Sequence, residues 1–400
     1  MTTVLVEVTN TLEVPFLTGL QRVTRELMAR LPSSGDLVVE PVRWCEVIRS
    51  HRRLTPGERR RLAGGVRRLP RSRIVRGGAR RAERVLQRRR RSELEGLRVG
   101  SPWPADALWF DLEATWHSPV PRHELLPRLM AAGIPTAALV ADVFPETHPE
   151  WFDPTAKAKF SAHLDAHLVA GSHLVCISES TRREVLAIAA ERGRAPSADV
   201  VVLGADFHGG SAGRLPEGLA GTRVLLSVST LEPRKNQVLL LDVFDRIRAD
   251  HPDVALVLVG KQGWHVDELV AQIRSHPEHG RRLHWIAGAD DATLVALYRH
   301  ATVSLVPSFA EGFGFPVVES LAEGVPVISS TGGALPEVGG DVVEYAAPDE
   351  PEAWERLVRR HLENPDHHAA VRARLAGYRP PTWEQSAAQV TASLRRLASA

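Results

Sequence analysis

Short apolar runs alternate with amphipathic helical patterns along almost the whole chain, and that alternation leaves few folds open. Runs at residues 4–8, 107–110, 136–140, 174–177 and 200–203, then at 224–228, 255–259, 283–286, 303–306 and 325–328, are predominantly apolar rather than regularly alternating with polar residues. Such runs suit strands covered on both faces. Between them, residues such as Leu20, Val23, Leu27 and Leu31 recur at intervals of three and four, the spacing of one helix face. Strand and helix in regular succession predict an α/β fold with parallel sheets and crossover helices.

The series breaks once. Residues 204–221 are rich in Gly and polar residues and lack apolar periodicity, which places a linker at 206–221. Two Rossmann-like, doubly wound units are expected on either side, at 1–205 and 222–380, facing a central cleft. Such sheets bind ligands outside the carboxyl ends of their strands. After Pro380 and Pro381, Thr382 and Gln385 stand at capping-box spacing before Trp383, Ala387, Val390, Leu394 and Leu397. Residues 381–400 are therefore read as a closing helix whose apolar stripe packs back on the first unit.

Composition bounds the setting. The 44% apolar fraction of 400 residues supplies a core for each unit. The first residues show neither the basic start nor the apolar run of a secretory signal, and no apolar run approaches the roughly 20 residues of a membrane span. Cys45 and Cys176 are too few and too scattered for a disulfide framework or a thiolate zinc site. A cytoplasmic setting is expected.

The net charge of +2 conceals an asymmetry: from Arg49 to Arg98 there are 19 Arg, no Lys and four Glu, so this stretch carries +15 and the rest −13. Clustered Arg can read phosphate bidentately, and near an anionic leaflet each cation contributes on the order of 1 kcal/mol. Residues 49–98 are thus either a peripheral docking segment for an anionic membrane surface or a solvated charged loop.

Two segments carry the chemistry. Pro307-Ser-Phe-Ala-Glu311-Gly-Phe-Gly-Phe-Pro316-Val-Val-Glu319 runs from a strand through Gly312 and Gly314 into a helix, with Pro316 near its first position. A helix opened this way presents free N–H groups to an anion, and the glycines allow close approach. Glu319, about one turn in, can accept ribose hydroxyls, and Glu311 on the loop is placed to meet a sugar. In Leu226-Ser-Val-Ser-Thr-Leu-Glu-Pro-Arg234-Lys235-Asn236 two cations stand at the start of a helix, where they oppose its macrodipole unless an anion such as a diphosphate reverses the sign. The plainer alternative pairs Arg234 with Glu232 and leaves Lys235 in water.

These segments, with Val259-Gly-Lys-Gln-Gly-Trp264 and Gly332-Gly-Ala-Leu-Pro-Glu337, resemble in order the nucleotide-sugar domain of retaining GT-B glycosyltransferases of family 4. More loosely, Thr18-Gly-Leu-Gln-Arg-Val-Thr-Arg-Glu26, Asp142-Val-Phe-Pro-Glu-Thr-His-Pro-Glu-Trp151 and Ser178-Glu-Ser-Thr-Arg182 resemble the bacterial mannosyl- and rhamnosyltransferases of surface-polysaccharide assembly. The resemblance implies a GT-B fold and transfer of a hexose or deoxyhexose, with retention, to a lipid-linked or growing glycan. It assigns Lys235 and Arg234 to the donor diphosphate, Glu319 to the ribose, and Glu311 to the transferred sugar. Gly312, Phe313 and Gly314 would offer backbone groups to the donor, and Gly19 would belong to a loop closing over its phosphates. Glu311, Lys235 and Asp142 are the catalytic candidates.

Two positions depart from the family pattern. Ser229 stands where many members have a second phosphate-binding Arg, and Ala141 stands where relatives have a His before the Asp. Asp142 is left either as an acceptor contact or as a strand-end cap. The implied chemistry needs neither metal nor protein nucleophile, and no cofactor is expected beyond a GDP- or dTDP-sugar substrate. The competing reading is an inactive protein of this fold that binds nucleic acid or anionic membrane through residues 49–98; intact Lys235, Glu311 and Glu319 favour the enzyme, so no nucleic acid is expected.

Other signals carry less. Gly209-Gly-Ser-Ala-Gly213 matches a nucleophile elbow by letter but lies in the linker. His163 and His167 are read as surface residues despite metal-type spacing, and His148, His173 and the His367-His368 pair belong to no constellation in the sequence. Asp290-Asp291 reads as a helix start rather than a metal motif. Trp103, Trp109, Trp116, His117 and Trp151 are either an aromatic sugar platform or core.

Overall fold

The computed structural model describes residues 1–14, 19–64, 91–100, 103–205 and 213–399. The chain divides into two compact units. The first comprises Met1–Ile177, Arg182–Leu203 and Trp383–Ala400; the second comprises Ser178–Thr181 and Gly204–Thr382.

In the first unit seven strands form one sheet: β1 (Thr2–Glu7), β2 (Leu37–Cys45), β3 (Ser50–Arg53), β4 (Ala107–Asp111), β5 (Thr136–Val140), β6 (His173–Cys176) and β7 (Ala198–Val200), in the order β3-β2-β1-β4-β5-β6-β7. Every pair is parallel except β2 with β3. Central strands such as β4 and β5 are buried along their full length, which is why their sequences are apolar without alternation. The Trp383–Ser399 helix belongs to this unit, where it packs on β6 and on the Gly19–Arg30 helix. Trp383, Val390 and Leu394 are fully buried there. Ser386 Oγ donates to Val202 O at 2.8 Å, and Arg30 Nε donates to Glu384 at 2.7 Å.

The second unit holds a wholly parallel six-stranded sheet of β8 (Arg223–Val228), β9 (Val254–Val259), β10 (Leu283–Ile286), β11 (Ala301–Val306), β12 (Val327–Ser329) and β13 (Glu344–Tyr345), ordered β10-β9-β8-β11-β12-β13. Chain order reverses between β8 and β11. At that switch point, crossovers leave to opposite faces and open a crevice beyond the strand ends. The loops after β8 and β11 are the two chemistry-bearing segments of the sequence.

The structure corrects the reading of residues 49–98 at their ends. Ser50–Arg53 is strand β3, Pro56–Ala63 is a helix with a Thr55–Glu58 capping box, and Arg91–Glu95 is a helical turn. Arg52 is 1% exposed and donates two hydrogen bonds of 2.8 Å to Glu58, which also receives Arg43. These arginines are committed to the fold. The docking segment read from the sequence otherwise falls on residues 65–90, outside the described residues, as does most of Gly209-Gly-Ser-Ala-Gly213.

His163 and His167 are likewise not surface residues. His167 is 1% exposed and holds Asp111 at 3.0 Å, while His163 packs against Trp116. Trp109 is fully buried in the core, and the partly buried Trp103 packs edge-on against it at 5.8 Å.

Candidate functional site

Two loops build the site in the second unit. After β8 the chain makes a single tight turn over Pro233–Lys235 and enters the Gln237–Ile247 helix through Asn236. Asn236 holds the left-handed conformation, with φ of 54°, that Asn tolerates better than most residues. Its side chain donates to Pro348 O at 2.7 Å. After β11 the chain runs through residues 307–314 into the Phe315–Ala322 helix, whose N-cap, Gly314, has φ of 100°. A Cβ there would stand 2.8 Å from Leu335 Cδ2, so only glycine fits.

The loops are tied together. Phe309 N donates to Arg234 O at 2.7 Å, and Arg234 Nη1 donates to Ala310 O at 2.9 Å and to Glu311 Oε2 at 2.8 Å. Arg234 also reaches Glu232 at 2.9 Å. Lys235 Nζ donates to Glu311 Oε1, which also accepts from Ser308 Oγ at 2.7 Å. Lys235 therefore does not point into water; it is buried on Glu311. Burial alone would raise the carboxyl of Glu311, but Lys235 and Arg234 outweigh it and hold the pKa at about 2. Burial and the neighbouring Arg234 push the Lys235 ammonium below its usual value.

A third segment secures Glu311 from behind. Gly332 and Gly333 run beside residues 309–311: Glu311 bridges Gly333, and Ala334 N donates to Glu311 O at 2.8 Å. A Cβ on Gly332 would fall 2.0 Å from Phe309 O. The glycine pair is thus a backbone-to-backbone seam that fixes the carboxylate.

At the opening of the Phe315–Ala322 helix, Val317 N bonds to Gly314 O, whereas the N–H groups of Gly312, Phe313 and Gly314 find no acceptor among the described residues. Free donors at a helix N-terminus favour an anion. Glu319, four residues into the helix, is buried and accepts from Tyr298 Oη at 2.8 Å. Tyr298, from the Asp291–His300 helix, was not singled out in the sequence; its one signal is a phenol on an apolar helix face, which needs a partner when buried. The structure thus gathers Arg234, Lys235, Glu311, Gly312, Phe313, Gly314 and Glu319 on adjoining loops at one switch point. Ser229, in place of an Arg, accepts from Gln237 Nε2 at 2.9 Å and braces the first loop.

Asp142 and Gly19 lie in the first unit. Asp142 follows β5 and accepts from Phe144 N at 3.4 Å, the geometry of a strand-end cap, and Gly19 is the exposed first residue of its helix. At this unit's own switch point, between β1 and β4, lies a buried ionic cluster that the sequence did not reveal. Arg122 donates to Glu7 at 2.6 Å and to both oxygens of Asp111 at 2.5 and 2.7 Å. Beside it, Glu113 accepts from Asn10 N and Thr11 N at 2.7 Å each, and burial pushes its carboxyl up to about 8.

The His367-His368 pair does belong to a constellation. Glu344, His361 and His367 converge from β13 and two successive helices.

Residues 217–376 match the family described as Glycosyl transferases group 1. The chain is 27% identical over 286 residues to the serotype-specific mannosyltransferase WbdA of Escherichia coli, covering 68% of this chain and 35% of that protein. It is 33% identical over 187 residues to the O-antigen chain mannosyltransferase B of Escherichia coli, covering 45% and 47%. The chain thus spans about a third to a half of the length of these relatives. Among solved structures, sucrose-phosphate synthase from Thermosynechococcus elongatus superposes with a TM-score of 0.64 at 15% identity, covering 100% of both chains. Anabaena HepE in complex with UDP and glucose gives 0.60 at 15% identity, covering 100% of this chain and 99% of that one. The fold is that of the GT-B glycosyltransferases.

Proposed function

From a chain whose residues 217–376 match the Glycosyl transferases group 1 family, we propose a metal-independent enzyme. It moves a hexose or deoxyhexose, mannose first among the candidates, from a GDP- or dTDP-sugar to a lipid-linked or growing glycan, with retention of anomeric configuration. One observation carries the reading: the half-buried Arg234 and the buried Lys235 stand beside the open N-terminus of the Phe315–Ala322 helix, with Glu319 one turn further on. Cations and helix end suit a diphosphate, and the carboxylate beyond suits a ribose, in the order a nucleoside diphosphate presents them.

In this reading Lys235 and Arg234 stabilise the negative charge that builds on the departing diphosphate, and the free N–H groups of Gly312 to Gly314 add fixed dipoles aimed at the donor. Glu311, ionised and held by Arg234, Lys235 and Ser308, positions the transferred sugar while holding the two cations in place. Asp142 and Gly19, both in the first unit, remain the acceptor-contact and donor-loop candidates that the sequence resemblance implies. Similarity to the serotype-specific mannosyltransferase WbdA and to the O-antigen chain mannosyltransferase B supports the choice of mannose and of a glycan acceptor.

The test is direct. Purified protein is incubated with GDP-mannose, dTDP-rhamnose and UDP-glucose, each with a lipid-linked mannosyl acceptor and with excess EDTA, and the product linkage is read by NMR. An α-linked product from an α-linked donor is expected. A product whose anomeric configuration is opposite to that of its donor would overturn retention, and hydrolysis without transfer to any acceptor would overturn the transferase reading.

A further inference from the structure

The cluster at the edge strand β13 has the chemistry of a metal site outside the proposed donor site. His361 lies in the last turn of the Pro351–Glu363 helix and His367 in the first turn of the Pro365–Leu375 helix, where its backbone N–H is fixed by Asn364 Oδ1 at 2.9 Å. Glu344 opens β13. Glu344 Oε2 stands 2.6 Å from His361 Nε2 and 3.2 Å from His367 Nε2, and one ligand atom from each of the three residues lies within 4.8 Å of the other two. It is the one such grouping of three among the described residues.

We propose that Glu344, His361 and His367 bind a zinc ion, or another borderline first-row divalent ion, that clamps β13 to the two helices. Two imidazoles and one carboxylate make the mixed N/O set such ions prefer, with a fourth position left to water. The side chains grade from closed to open: His361 is 0% exposed, His367 13% and Glu344 14%. The ion therefore has a dry inner ligand and an entry side.

Outer partners fit as well. His361 Nδ1 lies 3.2 Å from His368 Nδ1, so a metal on Nε2 leaves the Nδ1 proton a ready acceptor and fixes the tautomer. Arg360 approaches the other carboxylate oxygen, Oε1, at 3.6 Å, which leaves Oε2 to the ion. A plain ion pair would occupy one imidazole; here two imidazoles converge on a single oxygen and a third ring backs the inner one.

The test uses the full chain stripped with chelator and dialysed. Titration with ZnCl2 followed by calorimetry, and with CoCl2 followed by visible absorption, is expected to show a single saturable site with tetrahedral cobalt bands and a higher midpoint of thermal unfolding. His367→Ala and Glu344→Gln, both at the open side, should each weaken zinc at least tenfold while the metal-free protein remains folded by circular dichroism. Zinc binding that both variants leave unchanged would overturn the site, as would octahedral cobalt spectra or no saturable binding. His361→Ala is a third variant, read only if it folds.

Discussion

The Nζ of Lys235 and the Oε1 of Glu311 are hydrogen-bonded to each other within the second unit, one residue from each of the two loops that flank the β8–β11 switch point. The pairing is asymmetric: Glu311 keeps Arg234 and Ser308 if Lys235 is lost, whereas loss of Glu311 takes from the buried Lys235 the carboxylate it is hydrogen-bonded to. Loss of Glu311 should therefore cost stability as well as activity. Glu311→Ala is expected to lower the unfolding free energy of the second unit by about 3–5 kcal/mol, whereas Glu319→Ala, which uncovers one tyrosine hydroxyl, should cost about 1–3 kcal/mol. Urea unfolding of the two variants checks the order.

Glu311 also sets an acid limit. Its folded pKa of about 2 lies below the ordinary carboxylate value, so its contribution to stability is complete above pH 4.5 and is lost as pH falls towards 2. Glu7, held at about 2 by Arg122 against the effect of burial, has the same sign in the first unit. The unfolding midpoint should fall steeply between pH 4.5 and 2.5, and Glu311→Gln should show a shallower fall over that interval than the parent protein. An unchanged slope would contradict the assignment.

Tyr298→Phe removes one hydroxyl and nothing else from a fully buried side chain. If that hydroxyl orients Glu319 for a ribose, the variant should bind nucleoside diphosphate about 3- to 10-fold more weakly, the equivalent of about 1 kcal/mol. Binding of inorganic pyrophosphate, which has no ribose, should not change. Calorimetry with both ligands separates positioning from general damage.

In the first unit, Arg122 is fully buried between Glu7 and Asp111. Arg122→Ala strands two carboxylates in the core and is expected to cost about 3–5 kcal/mol. The backbone seam gives a parallel contrast in the second unit: Gly332→Ala must displace Phe309 O and should unfold or severely weaken that unit, while Gly288→Ala, with open space around it, should be neutral.

Much of this was legible in the sequence. Strands such as β5 and β10 match their apolar runs to the residue because a short, mainly apolar run bounded by breakers has little freedom. The grouping of Arg234, Lys235, Glu311 and Glu319 was legible because their order along the chain follows the order of loops at one switch point. Strand β3 was not, since Ser-His-Arg-Arg carries no apolar pattern and is held instead by Glu58 and by pairing with β2. Nor was the Glu344–His361–His367 grouping or the Glu7–Asp111–Arg122 cluster. Each joins residues from separate elements, and only the topology of the sheet brings them together.

The central claim is that Lys235 and Glu319 hold a nucleoside diphosphate. Calorimetric titration of the protein with GDP, UDP, dTDP and ADP, repeated on Lys235→Ala and Glu319→Ala, tests it most directly. One nucleotide is expected to bind in the micromolar range, with each variant weakened by about 1–3 kcal/mol. Equal affinity in parent and variants, or no binding of any nucleotide by the folded protein, would contradict it.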